Sequence, residues 1–414
     1  MYDLLIKKAF AYNIGKNKDI GILNGKIVEI GEGIPETFAK EVIQANGNLV
    51  APGFVDCHMH FDKVLSLGDN ESKTLDSAII EFTKYCNIIK KGEWKSDVLR
   101  RAKEAARIVV QSGTTTLRTH INIEASTDLS SIEAINELKN ELKNYVDIKI
   151  TSLPTFYDGP EAQAKRLDML KYACKNGMLD FVGGAPHTHE NWEELTNKIF
   201  AIAVRNNLPL DFHVDETDNP DIRNFEQIAD LTMKYGYEGR VSCGHVTALN
   251  AVDDETAARL IAKAKKADLQ IITLPSCNLY LMGRNDKQPI RRGITRVREF
   301  LEAGVNISYA SDNIRDAFRP FGNGDMLEEG LLTAQVAQMA TKTELDTVFR
   351  MGNLNPARTL LLNDYGLGLG KRADLVIFDT DSVSKTLVNQ GTRSYVIKNG
   401  KVVAKNTRTK EIVF

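Results

Sequence analysis

The run Ala51-Pro-Gly-Phe-Val-Asp-Cys-His58-Met-His60 ends an apolar stretch with two histidines spaced i, i+2. Side chains alternate across a strand, so this spacing turns both imidazoles to one face, whereas a helix would separate them. Paired imidazoles at a strand end are one half of a grip on a divalent metal. The chain has seven histidines, and several others also close apolar runs. Leu-Arg-Thr-His120 is one, Phe212-His213-Val-Asp-Glu216 another, and Cys243-Gly-His245 a third. Ser311-Asp312-Asn313 follows the last such run. Imidazoles with a carboxylate suit Zn²⁺ or Fe²⁺, and an ion held this way ionises water at a pH near about 7. Glu216, three residues beyond His213, is a carboxylate that could carry a proton to a substrate nitrogen.

Each of these residues has a plainer alternative role. A lone histidine beside an apolar run is usually a packed core or loop residue. Asp312 could serve a turn, Glu216 could be a solvated loop carboxylate, and His187 and His189 after Gly183-Gly184 could be ordinary loop residues. The joint pattern, repeated at one end of successive strands, argues for chemistry.

Such residues meet only if their strands share one end. Apolar or β-branched runs occur at 54–55, 114–117, 148–153, 181–182, 208–212, 241–243, 269–274 and 305–310, with amphipathic stretches such as 96–112 and 256–266 between them. Eight strand–helix units predict an α/β fold, a (β/α)₈ barrel over residues 53–364, whose strand C-termini converge on the active site. Both chain ends are β-rich. Asn24-Gly25 and Asn399-Gly400 sit between apolar runs, a hairpin signal, and Arg372–Phe378 reads as a strand. Residues 1–52 and 365–414 are expected to pair into one small β-sandwich domain.

The chain has 414 residues, 43% of them hydrophobic, and a formal charge of −2. That size allows a large core. Near-neutral charge gives no electrostatic case for nucleic acid or an anionic membrane. No apolar run reaches spanning length and the N-terminus lacks a signal-peptide h-region. Five scattered cysteines without CxxC spacing predict free thiols and a cytoplasmic protein. The expected partner is a small molecule, with a homo-oligomer as the assembly.

These residues resemble the cytosine deaminase branch of the amidohydrolase superfamily over nearly the full length. The resemblance is carried by Pro52–Lys63, Arg118-Thr-His120, His213-Val-Asp-Glu216, Gly244-His245, Arg291–Val297 and Ser311-Asp-Asn313. It implies one divalent metal per subunit, Zn²⁺ or Fe²⁺, on His58, His60, His213 and Asp312. It also implies catalytic roles for Glu216, His245 and Asp312: His245 and Asp312 orient and deprotonate water, and Glu216 protonates the ring nitrogen. Leu75, Leu153, Thr155, Asn313, Phe318 and His120 would contact substrate. Dinuclear members carry a bridging lysine after strand four. The segment Asp180–Pro186 has none, which favours one ion. No PCxxC is present, which excludes the unrelated zinc deaminases.

The pocket departs from cytosine deaminases. Pro154-Thr155 stands where they carry Pro-Gln, Asn313 replaces a second Asp, and Phe318 replaces an indole. The 311–316 and 320–326 stretches resemble enzymes that hydrolyse N-alkylaminotriazines, which lack the HxxE glutamate kept here. Creatinine deaminases are also similar. The expected activity is hydrolytic deamination of a small cyclic amidine, creatinine or cytosine, with N-alkylammelide aminohydrolysis as the alternative. A non-catalytic scaffold is the competing class, but such relatives have lost ligands that this chain keeps.

Overall fold

The eight apolar runs each form a strand, and the strands share one direction. The computed structural model describes residues 1–124, 127–155, 159–221, 224–409 and 411–413. Positions 410 and 414 of the expected terminal domain lie outside the described residues. Five strands precede the first run: β1 (Tyr2–Ala11), β2 (Gly15–Leu23), β3 (Lys26–Gly31), β4 (Ala39–Gln44) and β5 (Leu49–Pro52). The eight runs are β6 (Phe54–Met59), β7 (Thr114–Ile123), β8 (Asp147–Pro154), β9 (Val182–Gly184), β10 (Leu210–Val214), β11 (Val241–His245), β12 (Gln270–Thr273) and β13 (Asn306–Tyr309). Three more close the chain: β14 (Leu375–Phe378), β15 (Arg393–Lys398) and β16 (Lys401–Lys405).

β6 to β8 form one parallel sheet and β9 to β13 another. Single parallel bridges join both seams, Thr151 with Phe181 and Met59 with Asp312. Helices cover the outside, among them α1 (Leu75–Ile88) and α2 (Trp94–Gln111). The register is dictated by alternation. On β7, Leu117, Ile121 and Ile123 belong to the large apolar cluster shared with the helices. Thr116, Arg118, His120 and Asn122, one residue out of phase, turn to the opposite face. On β10, Leu210, Phe212 and Val214 pack outward and Asp211 and His213 turn in. Each outward-facing aliphatic side chain, fully buried, contributes about 1.5–3 kcal/mol.

Strands from both ends form a single hydrogen-bonded sheet in the order β16-β15-β14-β5-β1-β2-β3, with β4 on β1, rather than two separate sheets. It encloses its own apolar cluster of Leu4, Ile6, Ile20, Ile43, Leu375 and Ile397 among others. The two Asn-Gly pairs make the expected tight hairpins, with positive φ at Asn24, Gly25, Asn399 and Gly400, the combination a type I′ turn demands. An ionic clasp joins this sheet to the parallel strands. Asp147 at the start of β8 meets Lys398 Nζ at 2.7 Å and also pairs with Arg372. Lys398, fully buried, is held by Asp374 at 2.7 Å as well. Only Gly53 separates β5 from β6. A Cβ there would fall 2.3 Å from the Thr115 side chain, so the crossing requires glycine.

Candidate active site

The six residues expected to bind metal or act on water gather where the parallel strands end. His213 Nε2, from β10, lies 3.2 Å from His58 Nε2 and 3.1 Å from His60 Nε2. Asp312 Oδ1 is 3.2 Å from His60 Nε2 and 3.6 Å from His58 Nε2. Three imidazole nitrogens and a carboxylate oxygen therefore crowd around one point. A tetrahedral ion with bonds of about 2.0–2.1 Å has ligand–ligand edges of about 3.3 Å. The observed separations match those edges, so the residues present fit a divalent ion. Burial, followed by the neighbouring imidazoles, holds His58 and His213 well below the ordinary histidine pKa; for His60 it is burial, then Lys63 and its imidazole neighbours. Neutral imidazole is the form that binds metal.

Beside this set, His245 Nδ1 lies 3.2 Å from Glu216 Oε1, and its Nε2 lies 4.0 Å from Asp312 Oδ2. All three side chains are buried. Burial, then the charge of Asp312, pushes Glu216 well above the usual carboxylate range. Burial likewise raises Asp312 to about 7. A carboxyl that holds its proton more tightly than usual suits a proton donor to a ring nitrogen.

Backbone strain aims these groups. On β11, Val241 and Cys243 pack outward, and strict alternation would send His245 after them. Instead His245 has φ +67° and Val246 φ +52°, which swings the imidazole in over the strand ends. Asp312 has φ +62° and Asp215, beside Glu216, φ +46°. For residues other than glycine such backbone costs about 1–3 kcal/mol each, and it persists only where surrounding contacts over-determine it. The Asp215 carboxylate supplies such contacts by accepting from the amides of Asn224 and Phe225 at 3.1 and 3.0 Å.

His120 is not at the cavity wall. It is fully buried beneath the ligands, its Nε2 2.6 Å from Asp211 Oδ2, and its ring centroid 4.1 Å from that of His58. Arg118 Nη2 meets the same carboxylate oxygen at 2.7 Å, and Ser242 donates to the other at 2.8 Å. Its ring also lies 4.7 Å from that of His213, so its contacts are with Asp211 and with the candidate ligands His58 and His213 rather than with the cavity.

The remaining expected contacts, Leu75, Leu153, Thr155, Asn313 and Phe318, line a cavity of about 700 Å³ whose floor is His60, His213, Glu216, His245 and Asp312. Asn313 donates to Asp316 at 2.8 Å. His187 and His189 also line this cavity. His187 Nδ1 is 3.1 Å from the His213 carbonyl oxygen, and burial lowers its pKa to about 4.

Several residues were missed. Asn278 is buried, with Nδ2 3.1 Å from His245 Nδ1, so its amide and Glu216 converge on one ring nitrogen. Lys63 Nζ lies 2.7 Å from Asn122 Oδ1 and 3.1 Å from His60 Nδ1, on the cavity wall with Glu124 and Arg166. Lys63 closes the Pro52–Lys63 motif, three residues past His60, and that spacing was the available signal. Nothing in the sequence marked Asn278.

Comparison with known proteins agrees with this geometry. The amidohydrolase family model matches residues 41–97 and 98–404. The chain is 32% identical to N-isopropylammelide isopropyl amidohydrolase of Pseudomonas sp. (strain ADP), covering 98% of each. It is 29% identical to pterin deaminase of Rhizobium rhizogenes (strain K84 / ATCC BAA-868), over 93% of this chain and 87% of that one. Among solved structures, 5-methylcytosine deaminase from Klebsiella pneumoniae liganded with 5-fluorocytosine superposes with a TM-score of 0.92 at 27% identity, covering 99% of both chains. The chain belongs to the amidohydrolase family.

Proposed function

We propose that this chain is a metal-dependent hydrolase that removes an exocyclic amine from a ring amidine carbon of a nitrogen heterocycle. The observation that carries this is Glu216, a desolvated carboxyl 3.2 Å from His245 and next to a donor set of metal-site dimensions. One divalent ion, Zn²⁺ or Fe²⁺, would sit on His58, His60, His213 and Asp312, where it supplies a Lewis acid that ionises water near neutral pH. Asp312 Oδ2 faces His245 and is free of hydrogen bonds, so it can take a proton from water while His245 orients that water. Glu216 then delivers a proton to the ring nitrogen as the water oxygen bonds to the adjacent carbon, and the proton held by Asp312 passes to the exocyclic nitrogen, so that the C–N bond breaks and the neutral amine leaves.

The relatives are named for hydrolysis at ammelide, pterin and 5-methylcytosine, all amino-substituted heterocycles. Creatinine and cytosine are small members of the same chemical class. A cavity of about 700 Å³ is in the range that holds a drug-sized ligand, which favours a substituted aromatic ring over creatinine. The 32% identity to an ammelide enzyme favours an alkylamine as a second leaving group beside ammonia.

The same reading includes a closed (β/α)₈ barrel over residues 53–364, with 1–52 and 365–414 as a composite β domain. It also includes a cytoplasmic homo-oligomer that acts on a small molecule and binds neither nucleic acid nor membrane. Among the described residues all five cysteines are free and buried, and no helix is long and apolar enough to cross a membrane. The test is amine release by metal-replete enzyme from creatinine, cytosine, 5-methylcytosine, isoguanine, pterin, ammelide and N-isopropylammelide. Ammonia and isopropylamine are quantified separately, with the metal content of the same sample. We expect release from an aromatic member of the panel. Full metal occupancy with no amine from any compound would sink the reading.

A further inference from the structure

Above the floor, one wall of the cavity is apolar, and it begins at Leu75, already expected to contact substrate. Leu75, Ile79 and Phe82 lie at i, i+4 and i+7 on α1, which places them on one face of the helix, and all three line the cavity. Phe82 is 4% exposed, its ring 6.4 Å from that of Phe318 and 5.5 Å from Lys63 Nζ. Lys63 in turn touches His60. The apolar wall thus begins one side chain from the metal ligands. It continues outward through half-buried Ile79 to Ile80, which is 56% exposed at the opening.

The wall is held in place. Thr74 and Ser77 form a capping box at the start of α1. Ser72 just before it donates to the Ala317 carbonyl at 2.5 Å, and Tyr280 donates to the Ser72 carbonyl at 2.8 Å. Leu75 and Ile79 are only half-buried and Ile80 is exposed, so this concave wall keeps apolar surface that an apolar ligand group could cover. A bare six-membered ring seated on the floor would leave that surface against water.

We propose that the α1 wall is a substrate subsite for an apolar substituent, alkyl or fused ring, carried by the heterocycle away from the nitrogen that leaves. This rests on the reading that the floor seats an amino-heterocycle. The test measures binding rather than turnover. Dissociation constants of metal-replete protein are measured calorimetrically for uracil and for its 5-alkyl and 6-alkyl derivatives from methyl to propyl. These are products of the corresponding cytosines. In one of the two series affinity should rise about two- to fourfold per methylene. In Ile79→Asn and Leu75→Asn proteins, whose altered side chains are half-buried on a surface helix, the ratio of propyl to parent affinity should fall towards one. Parent uracil binding with flat series in both positions overturns the subsite alone. An unchanged ratio in both variants does so too, whatever the unsubstituted protein shows. No binding by any member overturns the heterocycle reading together with the subsite.

Discussion

Replacing Glu216 by glutamine isolates the proton carrier from everything around it. The side chain is 7% exposed, and its Oε1 is 3.2 Å from His245 Nδ1. Glutamine keeps the volume and a hydrogen-bonding head but cannot cycle a proton. None of the facing atoms that form the metal set belongs to Glu216; they come from His58, His60, His213 and Asp312. Metal content should therefore be unchanged. General acid–base groups contribute about 10²–10⁴-fold, which corresponds to about 3–5 kcal/mol in the barrier. The assay is steady-state amine release at saturating substrate, with metal per chain and melting temperature measured on the same preparation. We expect a fall of at least a hundredfold with metal and fold retained. Glu216→Asp should be intermediate, since it keeps the acid but withdraws it by one methylene. Turnover of Glu216→Gln within tenfold of the parent would refute the argument and move the donor role to another group, His245 first.

The other predictions concern the ligands, the layer beneath them and the clasp between the sheets. His58→Ala and His213→Ala should lose metal and activity together while remaining folded, because the ligands close the strand ends rather than fill the apolar core; elemental analysis and circular dichroism read this, and full occupancy in either variant contradicts the assignment. Asp211→Asn should destabilise by about 3–5 kcal/mol in chemical denaturation, because Arg118 and His120 then lose a fully buried carboxylate. Burial pushes Asp147 up, but Lys398 and Arg372 outweigh it and hold the carboxyl below its usual pKa. Its stabilisation is therefore complete above the unfolded value of about 3.9 and lost as pH falls through the lower folded value. Asp147→Asn should accordingly be less stable than the parent by about 1–3 kcal/mol at pH 7, with the difference shrinking below about pH 4; a gap independent of pH would contradict the clasp.

The fold was legible wherever one face of an element met the core. β7 and β10 announce themselves because alternate residues are apolar, and both hairpins because Asn-Gly supplies the backbone their turns require. The candidate metal ligands stand out by type and by position at strand ends. Three things were not legible. His245 departs from the alternation of its own strand, and only its residue type, not its phase, pointed to the site. His120 has the type and the strand end of a site residue, yet Asp211, ninety-one positions on, holds it in the layer below. Asn278 acts through a contact with His245, far from it in the chain, and the helical spacing of Leu75, Ile79 and Phe82 does not say that their face meets the cavity. Pattern reports which way a side chain faces, and packing decides what it meets there.

The single glycine between β5 and β6 bears on how the protein is made. β6 carries His58, and β5 is paired on one edge by β14, which follows Asp312 in the chain. A growing chain has all four metal-site residues once Asp312 has emerged, but the strand that steadies the root of the first ligand strand is still inside the ribosome. The candidate metal residues and the terminal strand that pairs with β5 therefore come from successive stretches of the chain. A chain truncated before Leu375 would present every ligand and still lack the splint on which His58 and His60 stand.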